Sequence, residues 1–293
     1  MNNPSNKSST PKSLFTTSNI VLAGIFWAAA ALLYFLLFSA KLPGAGGIEQ
    51  RADWYVFGTN IFEAVAFLAA ALLCFRNWRS PQIVSGRNVW LGIGLGMFSY
   101  FLGGIIFGYW EIVLQKEPIV SPADIFFVAT YLFLIWGMVL AVVSRRLNLE
   151  KWQWGIVAGI AVIGLLVAWY ISQQQGGAGE EQLTGLEATI APILNWFYVG
   201  CDLALLVIAT TLLLAFWGGR VSLSWRIIAA AAFSLYIGDM WFKYATSAIP
   251  NYQSGEILEV FWIFSGVLFG IGAALEYGTS LSRSRRAGGR KRA

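Results

Sequence analysis

The sequence predicts an all-α fold: a polytopic membrane bundle of eight transmembrane helices arranged as two parallel four-helix repeats. Three observations carry that expectation. The chain holds long apolar runs, its cationic residues cluster in alternate loops, and its second half matches its first at a constant offset. Hydrophobic residues make up 57% of the 293 positions and charged residues only 12%, with a mean hydropathy of +0.64. An ordinary soluble domain carries about twice that share of charge.

A helix needs roughly 20 apolar residues to cross the hydrocarbon core. Residues 1–17 are polar and read as a disordered segment. The first span, 19–40, follows Lys7 and Lys12 as a signal peptide would, but it is too long for a cleaved signal core and reads as an uncleaved helix. The second, 56–75, carries Glu63. The third, 89–114, is lined by Gly92, Gly94, Gly96, Gly103, Gly104 and Gly108, a small-residue surface suited to close helix contact. The fourth, 124–144, opens with Asp124 just after Ser121-Pro122, which is ordinary helix-start chemistry. Spans 154–172 and 191–217 follow, the latter carrying Asp202. The seventh, 226–248, contains Asp239 and Lys243, four apart with the acid first, the favourable order for a pair on one helix face. The eighth, 257–276, opens with Glu259. This divides the chain into the segment 1–17, a first repeat over 18–148, a second over 149–277 and a basic tail over 278–293.

Arg76, Arg79 and Arg87 lie between spans two and three, and Arg145, Arg146 and Lys151 between four and five. Arg220 and Arg226 flank the loop between six and seven, and six cations fill the tail, whereas Glu180, Glu181 and Glu187 mark an intervening loop. The positive-inside rule therefore predicts both termini in the cytoplasm. Across the halves, Trp90 matches Trp225, Gly103 matches Gly238, Phe107 matches Phe242 and Gly137 matches Gly272, each 135 residues apart (225 − 90). Asp124 falls on Glu259 at the same offset, and Glu63 matches Asp202 at 139. Four spans per copy is an even number, so both copies cross in the same direction and their axis should run along the membrane normal.

The chain has no histidine, which removes imidazole-ligated haem and the usual zinc or copper sites. Cys74 and Cys201 read as buried packing residues, not as a disulfide or metal pair. No catalytic motif stands out, so no enzyme activity, cofactor, metal or nucleic-acid partner is expected. The chemical signal is the set of ionisable residues in the outer halves of the spans: Glu63, Asp202, Asp239, Lys243, Asp124 and Glu259. A charge at the bilayer centre costs about 2.5–3.5 kcal/mol on insertion scales, so such groups should face the bundle or a wet cavity. Two readings stay open. The acids line an outward-facing pocket for a cation or small cationic ligand, or each is protonated or hydrogen-bonded and only fixes packing. For Asp124 and Glu259 the second is favoured.

The string Pro118-Ile-Val-Ser121-Pro122-Ala-Asp124, preceded by Tyr109-Trp110-Glu111, resembles a motif of multi-spanning bacterial membrane sensor domains. Asn195-Trp-Phe-Tyr198 with Asp202, then Gly238-Asp239, is similar to the second half of such domains, so the resemblance covers about residues 55–277. Those domains usually precede a diguanylate cyclase (GGDEF), phosphodiesterase (EAL) or histidine kinase module. The resemblance implies an input domain, here expected to work through a cytoplasmic or membrane signalling partner because the chain ends eighteen residues after Leu275. Its tail could instead rest on anionic lipid, at about 1 kcal/mol per cation near the surface. A small cation-coupled transporter and a scaffold or assembly subunit of a larger membrane complex are the alternatives.

Overall fold

The computed structural model describes residues 16–43, 49–116, 120–143, 149–173, 185–215, 222–249 and 252–290. Residues 1–15 of the polar N-terminal segment, Arg145, Arg146, Arg220, Glu180, Glu181 and the last three residues lie outside them, while Thr16 and Thr17, also read as part of that segment, cap and open the first helix. Long apolar runs become helices because a lipid-embedded backbone must satisfy its own polar groups. They are α1 (Thr17–Phe38), α2 (Asp53–Arg79), α3 (Arg87–Gly108), α4 (Asp124–Val143), α5 (Lys151–Ser172), α6 (Leu186–Ala215), α7 (Ser222–Ala248) and α8 (Val260–Arg290). Among the described residues the only strands are β1 (Leu42–Pro43) and β2 (Glu49–Gln50), an antiparallel pair joining α1 to α2. Among the described residues seven helices are long and apolar enough to cross a membrane, which makes the chain a multi-pass membrane protein. The exception is α7, which carries Arg226, Asp239 and Lys243 yet runs the same length as α2.

Helix starts follow local chemistry. The Thr16 hydroxyl accepts from the Asn19 N–H at 3.2 Å, Glu150 and Gln153 form a reciprocal capping box at α5, and Glu256 and Glu259 form another before α8. Two sequence expectations change. α2 continues past 75 to Arg79, and α8 continues past 277 to Arg290, so the segment read as a separate basic tail begins as helix. Nothing between 278 and 287 breaks a helix as Pro would, and the Gly288-Gly289 pair falls at its end.

The core runs along the bundle through Trp90, Trp225, Met97, Leu134, Met138, Leu205, Leu212 and Phe269. Glycines set the closest crossings. A Cβ on Gly92 of α3 would stand 2.7 Å from the Gly137 Cα of α4, so these two backbones touch. Gly272 of α8 meets Ile228 and the Ser224 carbonyl of α7, and Gly266 meets Ala66 and Phe67 of α2. Thr17 packs on Gly278, which places the start of α1 beside the last turns of α8 at one end of the bundle. The outer faces of α1 and α5 keep Leu22, Phe26, Leu37, Ile163, Leu166 and Trp169 exposed, as lipid-facing surfaces would.

At the end where α1 starts and α8 finishes, the Asn77 amide donates to the Ala273 carbonyl at 2.8 Å, and the Trp90 indole donates to the Ser85 hydroxyl at 2.7 Å. Glu276, fully buried, accepts from the Ser224 hydroxyl and the Ser85 N–H. At the opposite end, Arg51 clasps the segment before α8. Its guanidinium donates to the Gln253 carbonyl at 2.8 Å and to Glu256 at 2.7 Å, and the Tyr55 hydroxyl donates to the Gly255 carbonyl at 2.7 Å.

Candidate functional site

Beside that clasp, the ends of α2, α3, α4, α6, α7 and α8 surround a cavity of about 240 Å³. All six residues singled out by sequence line it: Glu63, Asp124, Asp202, Asp239, Lys243 and Glu259. Glu111 is a seventh ionisable group, on the π-helical turn Tyr109–Val113 that ends α3. A π-turn re-aims the side chains of its last residues, and such turns are frequent at functional positions. Phe107, Phe127, Phe242 and Trp262 supply aromatic wall between the carboxyls.

The acids are held in different ways. Asp124 accepts from the Ser121 N–H at 2.8 Å and from the Tyr198 hydroxyl at 2.7 Å, so it both starts α4 and ties it to α6. Glu259, 5% exposed, accepts from the Gly255 and Glu256 N–H groups and from the Tyr252 hydroxyl. Burial first, and then the Glu259 charge, push the Tyr252 phenol well above its ordinary titration range, so it stays a donor. These two acids have the bonds that the helix-start reading requires. Glu63 and Tyr100 line the cavity together, and the Tyr100 ring stacks on Phe67 at 3.7 Å.

Asp202 and Asp239 are different. The Tyr131 hydroxyl of α4 lies 2.7 Å from Asp202 Oδ1 and 2.6 Å from Asp239 Oδ2. The Trp262 indole donates to Asp239 Oδ1 at 2.8 Å. Asp202 is 2% exposed, and its Oδ2 finds no N–H or hydroxyl donor. Lys243 stands one turn beyond Asp239 with its Nζ 5.8 Å from the centre of the Trp196 ring. Three helices thus meet at one phenol.

Tyr131, Trp262 and Tyr198 are the partners that sequence reading misses. Each is one of many aromatic residues, and only the packed bundle shows whose hydroxyl or indole N–H meets a carboxyl. Glu276 is also missed, because it sits near the end of the last span where an acid reads as interfacial.

The carboxyls spread around the walls. Among the described residues, no three acidic or thiol side chains group closely enough to hold a metal ion. Cys74 and Cys201 are both buried and free. No protein-family model, curated protein or solved structure matches the chain. What stands from the resemblance to sensor domains is its coarser content, a polytopic helical membrane bundle.

Proposed function

We propose that this chain is a sensory or regulatory membrane module of a bacterial inner membrane, whose input is a small organic cation taken into the cavity. The observation that carries the reading is the lining itself: six carboxyl groups and one ammonium, interleaved with aromatic faces, in about 240 Å³. Carboxylates supply charge, and aromatic faces attract cations that shed their water. The volume sits just below the range of drug-sized pockets, which suits a compact ligand. Dispersed acids fit an organic cation better than a metal ion, which needs converging oxygens. The role is binding, not catalysis.

The module is built of two four-helix units related by an axis along the bundle. Trp90 meets its counterpart Trp225 at 5.9 Å between ring centres, and Phe107 meets its counterpart Phe242 at 6.3 Å. A residue that touches its own equivalent lies near the axis. These two contacts are seventeen residues apart along α3, about 25 Å at 1.5 Å per residue, so the line joining them follows the helices. Gly137 faces Val89 and Ile93 as Gly272 faces Ser224 and Ile228, the same contacts displaced by 135. α2 packs on α8 while α6 packs on α4, an exchange across the units. The cavity then straddles the axis, where a ligand can bias one unit against the other and a signalling partner can read the change.

Choline is a suitable probe, with 3,3-dimethylbutanol as its neutral isostere. Calorimetric titration of the purified chain in mild detergent should show saturable choline binding, weakened at least tenfold by Asp202→Asn, and none of the alcohol. Equal binding of both compounds, or of neither, overturns the reading. Uptake of choline into proteoliposomes, lost in Asp202→Asn, would make the chain a carrier instead.

A further inference from the structure

The group formed by Asp202, Tyr131 and Asp239 does not satisfy itself as two carboxylates and a phenol. The phenol has one hydrogen, yet its oxygen is in hydrogen-bond range of both acids. The Trp262 N–H serves only Asp239. Asp202 Oδ2 is buried with no N–H or hydroxyl donor, and the two carboxyl groups converge on the one phenol oxygen, at 2.7 and 2.6 Å. Two ionised carboxylates cannot share such a site, because like charges that close in apolar surroundings disfavour a second ionisation. One added proton satisfies both contacts at the phenol oxygen. The protonated acid donates to the phenol oxygen, and the phenol donates to the acid that remains charged.

The other ionisable groups facing this trio do not remove the need for that proton. On α4, Asp124 is occupied by Tyr198 and the Ser121 N–H; just before α8, Glu259 is occupied by Tyr252 and two backbone donors. Glu63 from α2 and Glu111 from α3 add further negative character to the same cavity, and Tyr236 of α7 donates away to the Gly164 carbonyl. Lys243 supplies one positive charge against six acids.

We propose that the trio holds one proton while the cavity is empty of ligand and releases it when an organic cation enters. This rests on the cation reading above. On entry, the carboxyl O–H bond breaks, its electron pair stays on the carboxylate, and the proton leaves to water at the cavity mouth. The pair gains one negative charge as the ligand brings one positive charge, so the buried net charge is unchanged. That exchange avoids the cost of adding an uncompensated charge to a low-dielectric site.

The test is choline titration at neutral pH in two buffers of different ionisation enthalpy, phosphate and MOPS. The difference in observed heat reports protons released per choline bound. We expect about one for the unaltered chain, with affinity improving up to tenfold per pH unit while the empty trio keeps its proton and levelling off at higher pH. Asp202→Asn and Asp239→Asn should each lower the count to near zero. Choline binding with identical heats in both buffers overturns proton release and leaves the cation reading standing. No choline binding in either buffer overturns both. The two-buffer comparison on the unaltered chain decides the matter even if an Asn variant fails to fold.

Discussion

Replacing Tyr131 by Phe removes one oxygen and leaves the ring, so it isolates the bridge between Asp202 and Asp239. Two hydrogen bonds disappear, at 2.7 and 2.6 Å. The phenol donates one of them to a charged carboxylate, a bond contributing about 1.5–3 kcal/mol; the other, received from the protonated acid, contributes about 0.5–1.5 kcal/mol. Because Asp202 is only 2% exposed, water cannot replace the lost partner cheaply. The expected destabilisation is therefore about 2–4 kcal/mol. Reversible unfolding in mixed micelles, followed by tryptophan fluorescence, measures it. Asp202→Asn in the Tyr131→Phe background should recover about 1–2 kcal/mol relative to additivity, since an amide can donate to Asp239 where the phenol did. A Tyr131→Phe change within 0.5 kcal/mol of neutral, combined with strict additivity, would refute the bridge.

Two further outcomes concern the scaffold. Gly137→Ala would place a methyl 2.8 Å from the Ile93 nitrogen and 2.9 Å from the Val89 carbonyl, both fixed backbone. It should cost about 1–3 kcal/mol of overpacking, whereas Gly155→Ala, which meets open space, should be silent by thermal unfolding. Arg51→Met removes the clasp and strands Glu256. Since the Glu256 side chain is 24% exposed against 4% for Arg51, the loss should be about 1–3 kcal/mol in the same assay, below the ~3–5 kcal/mol of a fully buried pair.

Helix number and order were legible because hydropathy in lipid is a one-dimensional signal. α7, with Asp239 and Lys243 inside its apolar stretch, was also legible, since its Trp225, Gly238 and Phe242 sit at the same offset from α3 residues as other matched pairs. Helix ends were less so. α2 and α8 outrun their apolar stretches because nothing in Arg76-Asn-Trp-Arg79 or Thr279-Ser-Leu-Ser disfavours another turn. At the site, the acids stood out from a background of apolar residues, and all six candidates line one cavity. Their partners did not stand out. Tyrosine and tryptophan are common in any bilayer protein, and whether Tyr131 faces lipid or two aspartates depends on how α4, α6 and α7 meet. The Arg51 clasp joins positions two hundred residues apart in two connecting segments, where no periodicity links them.

The paired indoles of Trp90 and Trp225 lie at the end of the bundle away from the cavity, their planes inclined by 41°. Two such chromophores at 5.9 Å share excitation, so their near-ultraviolet transitions mix and rotate polarised light as a couple. The chain therefore contains its own optical gauge on the line between α3 and α7. Sliding or turning one helix against the other changes that optical signature without any label attached.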